Sequence, residues 1–281
     1  MSLLLIEKEG RVLSITLNRP EKRNAFNIAM CHELLDAIAN AQSDPGVGSI
    51  LLTAAGRVFS AGMDLDEASS ETGDASTAIH ERLFSIGRET SKPIVACVTG
   101  PALGGGLGLV AQSQVAVAAQ GALFGLTEIR SGIWPFLVYR SLEAAIGPRR
   151  TLELSLTGRL FSTHEALSWG LIHQVAHAFE VEDRAGAIAR DIAKASPEAV
   201  RLGLEYVNRS RNKTWCEAGI LAAELRRECT SGADFKEGVA AFHEHRESHW
   251  PSMPEGTYSD IPEHVDRDAP LRQKTGTEQG H

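Results

Sequence analysis

Residues 101–112, PALGGGLGLVAQ, set three consecutive glycines, Gly104, Gly105 and Gly106, directly before an apolar run of helical length. A glycine in a helix interior costs about 1 kcal/mol relative to alanine, so a chain that places three there must be using the missing side chains. Something has to approach this backbone closely. A glycine cluster that opens a helix also leaves N–H groups at the positive end of the helix dipole, where negative charge is favoured. A second stretch has the same character: in RVFSAGMDLDE (57–67), the small residues Ser60, Ala61 and Gly62 follow a strand pattern. Asp64 is suited to cap the next helix, and the amide of Met63 is free to point outward. Preorganised donors of this kind contribute about 3–4 kcal/mol to stabilising a developing oxyanion. Taken singly, each stretch reads equally as an ordinary strand-to-helix turn.

Spacing excludes the familiar glycine motifs. A dinucleotide fingerprint needs G-x-G-x-x-G, but counting from Gly104 the last position is Leu109, and there is no G-x-x-x-x-G-K-[ST] anywhere. A G-x-S-x-G nucleophile elbow is also missing. HEHRESH (243–249) holds three histidines without satisfying H-E-x-x-H. His245 and His249 are expected to share one face of a solvated helix, and no metal site is expected.

The rest of the chain divides by periodicity. Val12 to Leu17 alternates apolar and polar residues and stops before Pro20, as a strand does. A helix is expected from NIAMCHELLDAIANA, with Cys31, Leu34, Leu35 and Ile38 at helical spacing and Asn27 as its N-cap. GSILLTAAG and KPIVACVTG are short continuous apolar runs bounded by glycine, the pattern of buried strands. QVAVAAQGALFGL reads as two short strands around a turn at Gly121. Beyond about residue 135 successive helical patterns follow, the last running through ADFKEGVAAFHEHRESHW, with one strand expected at LIHQVA. Three regions result: a core over 1–200, a helical region over 201–250, and a polar, proline-bearing tail over 251–281 that is expected to be flexible.

At 281 residues the chain can bury a substantial core. A formal net charge of −8 is unlike the basic face nucleic acid requires. The four cysteines, Cys31, Cys97, Cys216 and Cys229, form no C-x-x-C pair and read as reduced core thiols. MSLLLIEKEG has no basic leader, and no apolar stretch reaches the roughly 18 residues of a membrane span. A cytoplasmic protein is expected.

Four stretches in order, LNRPEKRNAFN (17–27), FSAGMDL (59–65), PALGGGLGL (101–109) and FGLTEIRSGIWP (124–135), resemble the crotonase superfamily, the enoyl-CoA hydratases and isomerases. The resemblance extends to about residue 250. It implies an α/β fold, a spiral of β-β-α repeats with a C-terminal helical region that drives assembly into a homotrimer or a dimer of trimers. It further implies an acyl-CoA thioester substrate, with coenzyme A as part of that substrate and no separate cofactor, and neither nucleic acid nor membrane as partner.

By this resemblance the backbone N–H groups of Met63 and Gly105 form the oxyanion hole for the thioester carbonyl, and the glycines admit that oxygen to the main chain. Lys22, Arg23 and Ala25 match the loop that lies against coenzyme A, with Ala61, Asp64 and Leu65 flanking the hole. Phe242 and His245 match helix positions that meet the nucleotide of a neighbouring subunit, although many relatives carry lysine where this chain has His245. The family's hydratases commonly use two glutamates; here Gly108 stands at the first position and only Glu128 remains. A desolvated carboxylate has a raised pKa, which suits it to take and return a carbon-bound proton. One carboxylate suffices to shift a double bond. Trp134, Pro135 and Phe136, similar to mitochondrial-type Δ3,Δ2-enoyl-CoA isomerases, either shape the acyl pocket or pack the core. Isomerisation is therefore the expected reaction. Hydration, with Asp66, Glu67 or a substrate group replacing the missing acid, is the alternative, followed by decarboxylation or thioester hydrolysis on the same hole.

Overall fold

The structure, a computed structural model, describes residues 2–70 and 74–254. The chain opens with an antiparallel pair, β1 (Leu4–Glu9) and β2 (Val12–Leu17), in which Leu4 lies opposite Leu17. Helix α1 (Ile28–Ser43) follows, with the Asn27 side chain accepting from the Met30 amide as its N-cap. Next come β3 (Ser49–Ala54), α2 (Leu65–Ser70), α3 (Asp74–Leu83), β4 (Ile94–Val98), the two-residue β5 (Ala102–Leu103), α4 (Gly105–Gln112), β6 (Val115–Ala119) and β7 (Leu123–Gly125). The C-terminal part contains α5 (Phe136–Ile146), α6 (Pro148–Thr157), β8 (Leu160–Ser162), α7 (Thr163–Ser168), β9 (Gln174–Ala176), α8 (Val181–Ala193), α9 (Pro197–Ser210), α10 (Trp215–Ser231) and α11 (Ala233–Glu244).

Strands β1-β2-β3-β4-β6-β9 form one sheet in that order, parallel from β2 onward. Its central strands read as continuous apolar runs because both faces are covered. In β4, Ile94, Ala96 and Val98 join the main core beneath α1 and α4, while Val95 and Cys97 meet Val181, Ala185 and Ala189 of α8 on the other face. A second, smaller sheet is β5-β7-β8, in which Ala102 pairs with Phe124 and Phe124 with Phe161. Isolated bridges Ser60–Ala102 and Phe26–Met63 extend it sideways, so the segments at residues 26, 60–63, 102–103 and 124–125 lie side by side. The turns leaving three of these neighbouring segments carry Met63, Gly105 and Glu128.

Several expectations are corrected here. The strands on either side of Gly121 do not pair as a hairpin, since β6 belongs to the large sheet and β7 to the small one. The last helix stops at Glu244: His245 adopts the left-handed conformation (φ 53°) as its C-cap, so His245 and His249 share no helical face. Only Cys31 and Cys97 are core thiols, with burial pushing both up to about 12; Cys216 is exposed and Cys229 half-buried, and all four are free. The tail from residue 255 lies outside the described residues. The C-terminal helices close a core of only Leu202, Leu221 and Leu225, leaving Trp215, Ile220 and Phe242 exposed.

Candidate active site

Two loops bind each other before they can bind anything else. Residues Arg19–Phe26 and Val58–Asp64 are stitched together: Arg23 O accepts from Ala61 N (2.9 Å), Asn24 O from Ser60 Oγ (2.8 Å), and Phe26 O from Asp64 N (2.9 Å). Phe26 N in turn donates to Gly62 O, and Gly62 N to Ser60 Oγ. Asn24, fully buried at φ 53°, donates to Ala55 O and Val58 O. Every amide around Met63 is thereby occupied, yet the Met63 N–H donates to no acceptor among the described residues. Met63 is half-buried, and its spare N–H stands in a loop whose neighbouring amides are all paired, which leaves it as the donor open to a ligand.

The second donor comes from the glycine run. Gly104 is the N-cap of α4 at φ 50°, and Gly105 is its first residue, whose N–H has no partner within the helix. Gly62, at φ 93°, lets the loops meet: a Cβ there would lie 3.1 Å from Gly105 N and 3.0 Å from Leu103 O. The two spare amides therefore stand on adjoining strands of backbone. Around them space is full. A Cβ on Gly105 would come within 2.5 Å of the Phe84 ring, and one on Gly106 within 2.7 Å of Ser60 Cβ.

Glu128 opens the single-turn helix after β7 and reaches back over the glycine run, with its Oε1 2.9 Å from where a Gly104 Cβ would be. Its Oε2 is buried and has no hydrogen-bond partner among the described residues. Burial raises its pKa above the usual 4.5, only partly offset by a hydrogen bond from its own backbone. A buried carboxyl without a cation has one cheap response, which is to hold its proton more tightly. Two spare donors and one uncompensated acid thus share one site.

The other expected positions divide. At Gly108, one helical turn on from Gly104, a Cβ would stand 3.2–3.3 Å from Val138 and Phe84, so the surroundings of this position are apolar. Asp66 is salt-bridged to Lys22 (2.9 Å), and Glu67 accepts from the Ile28 amide (2.8 Å), so both carboxylates are engaged away from Glu128. Asp64 is turned inward: its Oδ1 accepts from Asp66 and Glu67 amides, capping α2, and its Oδ2 bonds Arg19 (2.5 Å). Burial pushes its carboxyl up, but the Arg19 hydrogen bond and the two amides outweigh it and hold it below the usual range. These bonds make Asp64 the tie between the two loops and α2. Ala25 is buried and gives its carbonyl to Arg19, another internal bond; Ala61 spends its amide on Arg23; Leu65 is exposed. Lys22 and Arg23 lie on the outer side of the same loop, Arg23 at φ 53°.

Of the bulky trio, Trp134 stacks on Tyr139 (6.1 Å between centroids) and Pro135 is buried, but Phe136 is 73% exposed and so does not pack the core. Phe242 is exposed on α11 with His245 just beyond it. Sequence reasoning missed Phe84, whose ring touches the first turns of α4 and stacks on His80. It also missed Arg19, whose only signal was an arginine before proline. No cluster of three or more potential metal ligands occurs among the described residues, and no helix there is long and apolar enough to cross a membrane.

Comparison with known proteins bears on the family and the fold. The family model described as enoyl-CoA hydratase/isomerase matches residues 7–253. The chain is 35% identical over 245 residues to the probable enoyl-CoA hydratase echA8 of Mycobacterium tuberculosis, covering 86% of this chain and 95% of that protein. It is 31% identical over 219 residues to the hydroxycinnamoyl-CoA hydratase-lyase of Pseudomonas fluorescens, covering 75% and 79%. The crystal structure of an enoyl-CoA hydratase from Bacillus anthracis superposes with a TM-score of 0.85 at 28% identity, over 89% of this chain and all of that one.

Proposed function

The chain belongs to the enoyl-CoA hydratase/isomerase family, and from that premise we propose that it moves a proton at C2 of an enoyl-CoA thioester through an enolate, with Glu128 as the only carboxylate at work. The observation that carries this reading is the placing of the Glu128 carboxyl, with its buried and unpartnered Oε2, against Gly104, one residue before the spare Gly105 amide. The Met63 and Gly105 N–H groups hold the thioester oxygen as it gains charge, an interaction that strengthens toward the transition state.

Hydration of a 2-enoyl thioester is the reaction the names of the relatives support better. It balances with one carboxylate. Glu128 takes a proton from water as the hydroxide oxygen adds to C3 and the electron pair moves to the thioester oxygen; Glu128 then returns that proton to C2 as the carbonyl reforms. Isomerisation is the second reading, favoured by the apolar side chains of Phe84 and Val138 packed around Gly108, the position at which the family's hydratases commonly carry a second glutamate. There Glu128 removes a proton from C2 of a 3-enoyl thioester and delivers it to C4.

Incubation with matched 2-enoyl-CoA and 3-enoyl-CoA substrates, followed by product identification, tests the proposal. A 3-hydroxyacyl-CoA product means hydration, and conversion of the 3-enoyl to the 2-enoyl thioester means isomerisation. Release of free coenzyme A or carbon dioxide with neither product overturns both.

A further inference from the structure

The two stitched loops meet at one ion pair. Arg19 and Asp64 are 15% and 7% exposed at the side chain, and Arg19 Nη1 donates to both Asp64 Oδ2 (2.5 Å) and Ala25 O (3.1 Å). The backbone of Arg19 is tied as firmly as its side chain: its N–H donates to Asn24 Oδ1, and its carbonyl accepts from Lys22 N and Asn24 N. Asp64 directly follows Met63, its own N–H is held by Phe26 O, and its carboxylate fixes the first turn of α2. The guanidinium thus grips the residue next to the spare amide from one side while the Phe26 carbonyl grips it from the other.

We propose that Arg19 is a positioning residue that aims the Met63 amide at the thioester oxygen by holding Asp64 in place. This inference rests on the oxyanion reading of Met63 given above. Arg19 touches no reacting atom. A single guanidinium nitrogen, Nη1, reaches acceptors on two segments, so the ammonium of a lysine can take over only part of the role, from a different stem and geometry. A donor displaced by about 1 Å costs on the order of 100-fold in rate. Because the hydrogen bond to the oxygen counts most in the transition state, the loss should fall on kcat and leave KM nearly unchanged.

The test compares Arg19→Met, Arg19→Lys and Asp64→Asn by steady-state kinetics, and by the infrared carbonyl stretch of a 1-13C-labelled enoyl-CoA bound in a Glu128→Gln background, where the thioester is not consumed. Arg19→Met should lower kcat about 100-fold with KM within a factor of about three, and lose much of the downward shift of the carbonyl band. Arg19→Lys should recover part of both. Asp64→Asn leaves a single acceptor oxygen and sets an N–H donor against either Arg19 or the α2 amides, so it should lower kcat alongside Arg19→Met with KM again nearly unchanged. Should Arg19→Met fail to fold, the lysine variant carries the test. Unchanged kcat and carbonyl band in the arginine variants, with a normal downward shift in the parent, overturns the inference alone. A parent with no downward shift overturns the oxyanion reading and takes the inference with it.

Discussion

The carboxylate of Glu128 rests on Gly104: a single methyl group added to that glycine would meet Glu128 Oε1 at 2.9 Å. The φ of 50° at Gly104 and the buried, unpartnered Oε2 of Glu128 belong to one arrangement. The strained turn that delivers the Gly105 amide also leaves the notch in which the acid sits.

Replacing Glu128 by glutamine preserves shape and removes the proton acceptor. Turnover of the enoyl-CoA substrate should fall by about 10²–10⁴-fold, the usual range for a positioned acid–base group. Coenzyme A thioester binding, measured by calorimetry, should be retained. Turnover near the parent's would exclude Glu128 as the proton carrier.

The raised pKa of Glu128 has two consequences of opposite sign for function and stability. As a base it works ionised, so kcat/KM should fall as pH drops through the raised value, with a midpoint above 4.5, and the acid limb should vanish in Glu128→Gln. For stability, the folded state holds this proton more tightly than the unfolded one. Glu128 therefore contributes stability below pH 4.5 that is lost as pH rises through its folded pKa. Glu128→Gln should consequently unfold at a higher temperature than the parent near neutral pH, a difference that narrows at acid pH.

Gly104→Ala probes the notch. A side chain at φ 50°, ψ −120°, outside the left-handed helical well, is strained by about 1–3 kcal/mol, and here it also displaces the Glu128 carboxylate. The expected outcome is a modest fall in melting temperature with a loss of kcat well beyond it. A variant with parental kcat would mean that Glu128 does not act from this position.

Gly108→Glu tests the apolar wall. Alone it must push aside Val138 and Phe84, which overpacks the core and costs about 1–3 kcal/mol. Combined with Val138→Ala, which frees space, it should recover stability and raise the ratio of hydration to isomerisation. The product ratio from 2-enoyl and 3-enoyl substrates is the measurement, and an unchanged ratio in a folded double variant would show that the wall does not set the reaction.

Local sequence determined the elements whose pattern reports its own environment. Asn27 caps α1 because its side chain reaches an amide three residues on, and the unbroken apolar run of β4 reflects covering on both faces. The glycine run announced a close backbone approach because no other residue type tolerates one. The small residues before Met63 were legible for the same reason, whereas Glu128 stood out only through the resemblance of its stretch to the family. Tertiary structure decided the rest. Which amides stay spare depends on the carbonyls of Arg23 and Phe26, supplied from a loop about 38 residues away, and Asp64 became a structural partner because Arg19 lies across that junction. Gly108 became a wall only when Phe84 and Val138 packed against it, and the last helix stopped at His245 through a left-handed turn that its repeating pattern did not foretell. Periodicity records which face of a segment is buried; it carries no information about which distant group will meet that face, and in this molecule those meetings build the site.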